Sequence, residues 1–127
     1  MQRIQVKPSQ SVQRGRLLSA IRTYLPGAWF SPSSSELVSL YRIRYRMALE
    51  DAKYDAALIF LNKILEVDPV NAEAKLCLAE LYHRYLGDLG LAVEHYNKVI
   101  RLTAGMPQDQ IHRRARTSLT EILDLLS

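Results

Sequence analysis

Leu61-Asn62-Lys63-Ile64-Leu65 returns, 35 residues downstream, as Tyr96-Asn97-Lys98-Val99-Ile100, and with it Ala57 falls on Ala92 and Val67 on Leu102. Farther upstream the match continues at a step of 34: Ile43 meets Cys77, Tyr45 meets Ala79 and Met47 meets Leu81. One extra residue in the turn from Leu86 to Gly90 reconciles the two steps. Self-similarity at a fixed spacing of this size means that one supersecondary unit is used twice, each copy burying its apolar face against the next.

Turn and cap residues around the repeat divide it into helices. Ser34 or Ser35 ahead of Glu36 and Leu37 suits a helix start, because a serine hydroxyl accepts from the first orphan backbone N–H groups. The spacing then predicts helices over about Glu36 to Glu50, Tyr54 to Val67 and Ala72 to Tyr85, the second ended by Asp68-Pro69. Gly87-Asp88-Leu89-Gly90 reads as a turn, followed by a helix over Leu91 to Leu102 that Gly105 breaks. Pro107 in a first turn opens a fifth helix reaching Leu126. No segment alternates with the period of two that marks a half-buried strand, so the fold class is all-α.

A unit of about 34 residues built as helix, tight turn and helix resembles the tetratricopeptide repeat family over residues 37 to 104. Leu78, Ala79 and Tyr82 take the family's large, small and aromatic places on the first helix of the second unit. Ala92, Tyr96 and Val99 take the small, aromatic and small places on its second helix. In the first unit Tyr54, Ala57, Leu61 and Asp68-Pro69 match the second half of the pattern. Departures are equally specific: Tyr45 stands where a small residue is usual and Ala48 where an aromatic is usual, Ile64 replaces a small residue, and Ala104 stands in place of proline. Two units leave apolar ends, and the last helix, with Ile111, Ala115, Leu119, Ile122 and Leu126 along one side, has the amphipathic form of a cap.

The resemblance implies tetratricopeptide-like helical hairpins stacked as an α-α superhelix with a C-terminal capping helix, over residues 36–127. It also implies a concave groove lined by the first helix of each unit. Arg42, Arg46 and Leu49, with Ser39 and Glu50, would face it from the first unit, and Glu73, Leu76, Glu80 and His83 from the second. That groove has a basic end and an acidic-apolar end.

The 127 residues, 48% of them hydrophobic, suit one domain with a true core. Apolar runs are broken by charge too often for a transmembrane helix. The single cysteine, Cys77, lies among Leu76, Leu78 and Leu81, which fits a small core residue and permits a reducing compartment, the cytoplasm or the periphery of a membrane complex included. The net charge of +4 is a sum of opposites. Residues 1–46 hold eight basic groups against Glu36, and residues 47–127 nine basic against twelve acidic. Residues 1–35 are therefore a basic arm, with a short amphipathic helix expected from the spacing of Val12, Leu17, Leu18, Ile21, Tyr24 and Leu25 before Pro26-Gly27.

Chemistry is sparse. His83, His95 and His112 show no metal-ligand spacing with one another, with Cys77 or with a carboxylate, so no metal or other cofactor is expected. There is no phosphate-binding glycine loop, no nucleophile elbow and no triad, and the chain is expected not to be an enzyme. What the sequence offers is surface. Arginine forks at Arg42 and Arg46, one helical turn apart, suit carboxylates. A solvated or internally paired arginine face fits them as well. In the arm Lys7, Arg14, Arg16 and Arg22 are interleaved with Tyr24, Trp29, Phe30 and aliphatic residues, a pattern that suits packing on the repeat, a protein partner or an anionic membrane, with nucleic acid last. The expected function is a non-enzymatic protein-protein interaction module: a scaffold, assembly factor or accessory subunit of a larger complex that binds protein through groove and arm. The competing expectation is a peripheral membrane- or RNA-associated factor acting through the arm. Self-association would also cover an exposed helix face.

Overall fold

The computed structural model describes residues 32–127. The arm residues Lys7, Arg14, Arg16, Arg22, Tyr24, Trp29 and Phe30, and the helix expected from Val12, lie outside the described residues. Five α-helices follow one another: α1 Ser34–Glu50, α2 Tyr54–Val67, α3 Ala72–Leu81, α4 Leu89–Leu102 and α5 Gln110–Leu126, with a π turn at Tyr82–Leu86 continuing α3. Among the described residues there is no strand.

Three helix starts, those of α3, α4 and α5, follow side chains that satisfy orphan backbone donors. Asn71 Oδ1 accepts from the Ala74 N–H at 2.9 Å and opens α3. Asp88 Oδ1 accepts from the Leu91 N–H at 3.0 Å and opens α4 at Leu89. Leu89 and Gly90 are thus already helical, and the expected four-residue turn shrinks to Gly87-Asp88 because the carboxylate cap fixes the start. Asp109 Oδ1 caps α5 through the Ile111 N–H at 2.7 Å. Pro107 lies ahead of that helix, in turns closed by Met106 N–H to Thr103 O and Asp109 N–H to Met106 O, both 2.9 Å. It does not sit in the first helical turn as its position suggested.

The extra residue of the second unit also sits elsewhere than expected. Lys53 N–H donates to the Ala48 carbonyl at 2.8 Å, and Asp88 N–H to the Tyr82 carbonyl at 3.0 Å. The two carbonyls are 34 residues apart and the two donors 35. The surplus residue is therefore taken up within the π turn, which widens the helix by one residue per turn, before the chain reaches Gly87.

Consecutive helices joined by such short turns pack antiparallel: α1 on α2, α3 on α4, α4 on α5, with α2 also meeting α3 and α3 meeting α5. One core joins α1, α2 and α3 around Tyr45, Leu61, Ile64 and Leu78. A second joins α3, α4 and α5 around Leu76, Tyr96, Val99 and Ile122. Ala57, Ala79, Ala92 and Ala115 are fully buried, which is what lets the helix axes approach. Tyr45 and Ala48 are both buried, so the exchanged large and small residues still fill the first core. The outer side of α5 is polar over most of its length, with Arg113, Arg116, Thr117, Thr120 and Asp124 exposed, while Leu123, Leu125 and Leu126 are exposed in its last turn. The far side of α1 instead exposes Leu40, Ile43 and Met47.

Candidate interaction face

Ion pairs that step from helix to helix bring α1, α3 and α5 together on one face. Arg42 of α1 reaches Glu73 of α3 at 2.9 Å. Glu80 of α3 takes both carboxylate oxygens to Arg114 Nη2 of α5, at 3.0 and 2.8 Å. Arg84 of the π turn lies 3.8 Å from Glu121 of α5. Glu73 and Glu80 of the expected groove are thus matched by arginines from neighbouring helices, the second of them by α5. Arg46 is exposed and carries no ion pair among the described residues.

Arg42 and Arg46 rim a cavity of about 50 Å³ between α1 and α3, with Tyr45, Cys77 and Asn71 in its wall and Leu61, Ile64 and Ala74 beneath. A space of this size holds a single small group. Burial, then the charges of Glu80 and Glu73, push the Cys77 thiol up to about 11, which lowers its thiolate fraction at neutral pH and with it its reactivity. Burial also raises the Tyr45 phenol, with Cys77 the next cause. A second, shallower cleft of about 360 Å³ between α3 and α5 is polar, with Arg84, Arg113, Arg114, Thr117, Glu80 and Glu121 along it.

One of the expected groove residues is not surface: Leu76 is fully buried in the second core. Leu49 is half-buried, packed in part against the first. Because α3 is packed on both sides, an apolar residue on it has a core to enter in almost any direction. His83 is brought to the face but turned inward, its Nδ1 3.0 Å from Tyr96 Oη. Residues absent from the sequence expectation are Arg84, Arg114 and Glu121, and the cavity wall formed by Tyr45, Asn71 and Cys77. One signal for Arg114 was present: Arg46, Glu80 and Arg114 follow one another at steps of 34.

Among the described residues no group of three or more His, Cys, Asp or Glu side chains is placed to hold a metal ion, and no helix is long and apolar enough to cross a membrane. Compared with known proteins, the chain matches no protein-family model and no curated protein.

Proposed function

We propose that the chain is a non-enzymatic interaction module of tetratricopeptide-like design. It takes a segment of a protein partner across the face of α1, α3 and α5 and acts as a scaffold or accessory subunit of a larger assembly. The observation that carries the reading is the row of cross-helix pairs, Arg42 with Glu73 and Glu80 with Arg114. They line three helices along one polar surface over packed cores, with Arg46, which carries no ion pair among the described residues, beside a small cavity. Exposed ion pairs contribute little to stability, so such a row is better suited to orienting a partner than to holding the fold. The basic arm serves as a second contact.

The test is affinity capture from detergent-solubilised, nuclease-treated extract with the full chain, the chain lacking residues 1–30, and an Arg42→Glu/Arg46→Glu variant. The captured protein is then reconstituted from purified components. The reading holds if a defined protein binds the full chain directly and is lost with the double variant. It fails if only lipid or nuclease-sensitive material follows the arm.

A further inference from the structure

Tyr82 and His83 are neighbours on the π turn, and each meets a residue of α4 thirteen positions on. The Tyr82 ring lies parallel to the His95 imidazole, centroids 5.5 Å apart and planes 4° from parallel. His83 meets Tyr96 edge-on, at 5.8 Å and 86°, with its Nδ1 3.0 Å from the phenol oxygen. Two tyrosine–histidine pairs are thus laid reciprocally between one short backbone segment and one helix.

The Tyr82–His95 pair favours a neutral imidazole, whereas His83 Nδ1 can meet the Tyr96 phenol as acceptor or as donor. His95 Nδ1 is buried with no hydrogen-bond partner among the described residues. A neutral ring leaves that nitrogen as an unused acceptor, whereas a cationic ring makes it a donor with nothing to meet. Around His95 stand Lys98 and Glu94 of α4 and Lys75 of α3. His83 faces Arg84 in the π turn, Glu80 of α3 and Glu121 of α5. Those two carboxylates already serve Arg114 and Arg84.

We propose that the Tyr82–His95 and His83–Tyr96 pairs form a proton-sensitive clasp that fastens the π turn to α4, closed while the His95 imidazole is neutral and loosened on mild acidification. The segment it controls is a junction. Tyr85 packs on Tyr54 of α2 at 4.9 Å, and Arg84 reaches Glu121 of α5. Opening the clasp loosens the place where the first helix pair, the second pair and the capping helix meet.

Burial is the main cause that holds both histidines below their ordinary 6.5. A histidine with a depressed value in the folded state binds its proton more readily when released. The clasp is therefore complete above pH 6.5 and weakens as pH falls from there through the lowered values.

The test follows the amides of Gly87 and Asp88, both bonded to the Tyr82 carbonyl, by hydrogen exchange across that window, with histidine side-chain NMR on the full chain. Four proteins are compared: native, His83→Asn, His95→Phe and the double variant. His95→Phe keeps a ring on Tyr82 and removes the orphan nitrogen. The expected result is that His83 and His95 titrate below 6.5 and that the two amides lose protection on acidification while those of α2 keep theirs. His95→Phe retains more of that protection, and the double variant shows no pH response. The proposal is overturned if His95 titrates at its ordinary value, if Gly87 and Asp88 stay protected, or if protection is lost equally in α2. A double variant with the native pH profile also overturns it. Should the double variant not fold, the native protein and His95→Phe decide the matter by the same criteria.

Discussion

Ala52 and Gly87, 35 residues apart, close the first helices of the two units with the same left-handed turn, at φ 58° and 72°. The conformation is nearly free for glycine, while an L side chain pays roughly 1–2 kcal/mol for it. A Cβ built on Gly87 meets nothing within 4 Å, so only the backbone matters there. Ala52→Gly is expected to stabilise by about 0.5–1 kcal/mol, strain relief being partly offset by glycine's unfolded-state entropy, and Gly87→Ala to destabilise by about 1 kcal/mol. Urea unfolding checks both: the midpoint should shift in opposite directions with the slope unchanged.

The bounds of α2 coincide with the expected Tyr54 to Val67, because Asp68-Pro69 ends it with side-chain chemistry visible in the letters. The π turn has no such chemistry: Tyr82 to Leu86 is an ordinary helical stretch in composition, and only the carbonyl it shares with Asp88 reveals the extra residue. Gly90 reads as a turn residue until Asp88 is recognised as the cap. Leu76 reads as groove surface because one periodic face is assumed, whereas α3 is packed on two. Of the face, Arg42, Glu73 and Glu80 were legible from the repeat. The α5 arginine was not, because the fifth helix counts only as a cap until the step of 34 is carried on to Arg114.

That misread leucine makes a sharp packing test. Leu76 is fully buried against α4 and α5. Leu76→Ala is expected to cost about 2–5 kcal/mol, the range for deleting a buried leucine with its cavity, and Leu76→Met less than about 1.5 kcal/mol. A groove-surface leucine would cost far less, so calorimetric melting of the two variants separates the placements.

Thr103 and His112 tie the end of α4 to the start of α5. The Thr103 hydroxyl donates its one proton to the Val99 carbonyl at 2.7 Å, so at 2.8 Å from His112 it accepts, and His112 must carry its proton on Nδ1. Both side chains are buried. Thr103→Val leaves that N–H without a partner and is expected to cost about 1–3 kcal/mol. Thr103→Ser keeps the hydroxyl and should cost less. Nitrogen NMR of His112 should show the Nδ1–H form in the native protein and in Thr103→Ser.

In the Glu80–Arg114 pair both Glu80 oxygens accept from the one nitrogen Arg114 Nη2, and the Glu80 and Arg114 side chains are 20% and 49% exposed. Solvent screening limits its worth, and a double-mutant cycle with Glu80→Gln and Arg114→Met is expected to give a coupling of about 0.5–1 kcal/mol that shrinks at about 1 M salt. A coupling several times larger and indifferent to salt would make the row of pairs a structural brace rather than a surface for a partner.

Cys77 supplies the alkaline counterpart of the histidine clasp. Burial first, then Glu80 and Glu73, raise its thiol from 9.0 to about 11. A group whose folded value is raised contributes stability that is complete below the unfolded value and is lost as pH climbs through the folded one. Stability should therefore hold up to pH 9 and decline from there towards pH 11. Tyr45, whose phenol is also raised above its ordinary 10.0, adds to the decline at its upper end. Cys77→Ala should start from a lower stability, since it leaves a small void, but should lose the early part of the slope. Iodoacetamide gives the second reading. At neutral pH the native thiol should be alkylated far more slowly than the urea-unfolded one, because only the thiolate attacks and burial in the fold lowers the thiolate fraction. Equal rates in the two states would mean that the wall between α1 and α3 opens freely, and the small cavity beneath Arg42 and Arg46 would then not be a fixed feature of the face.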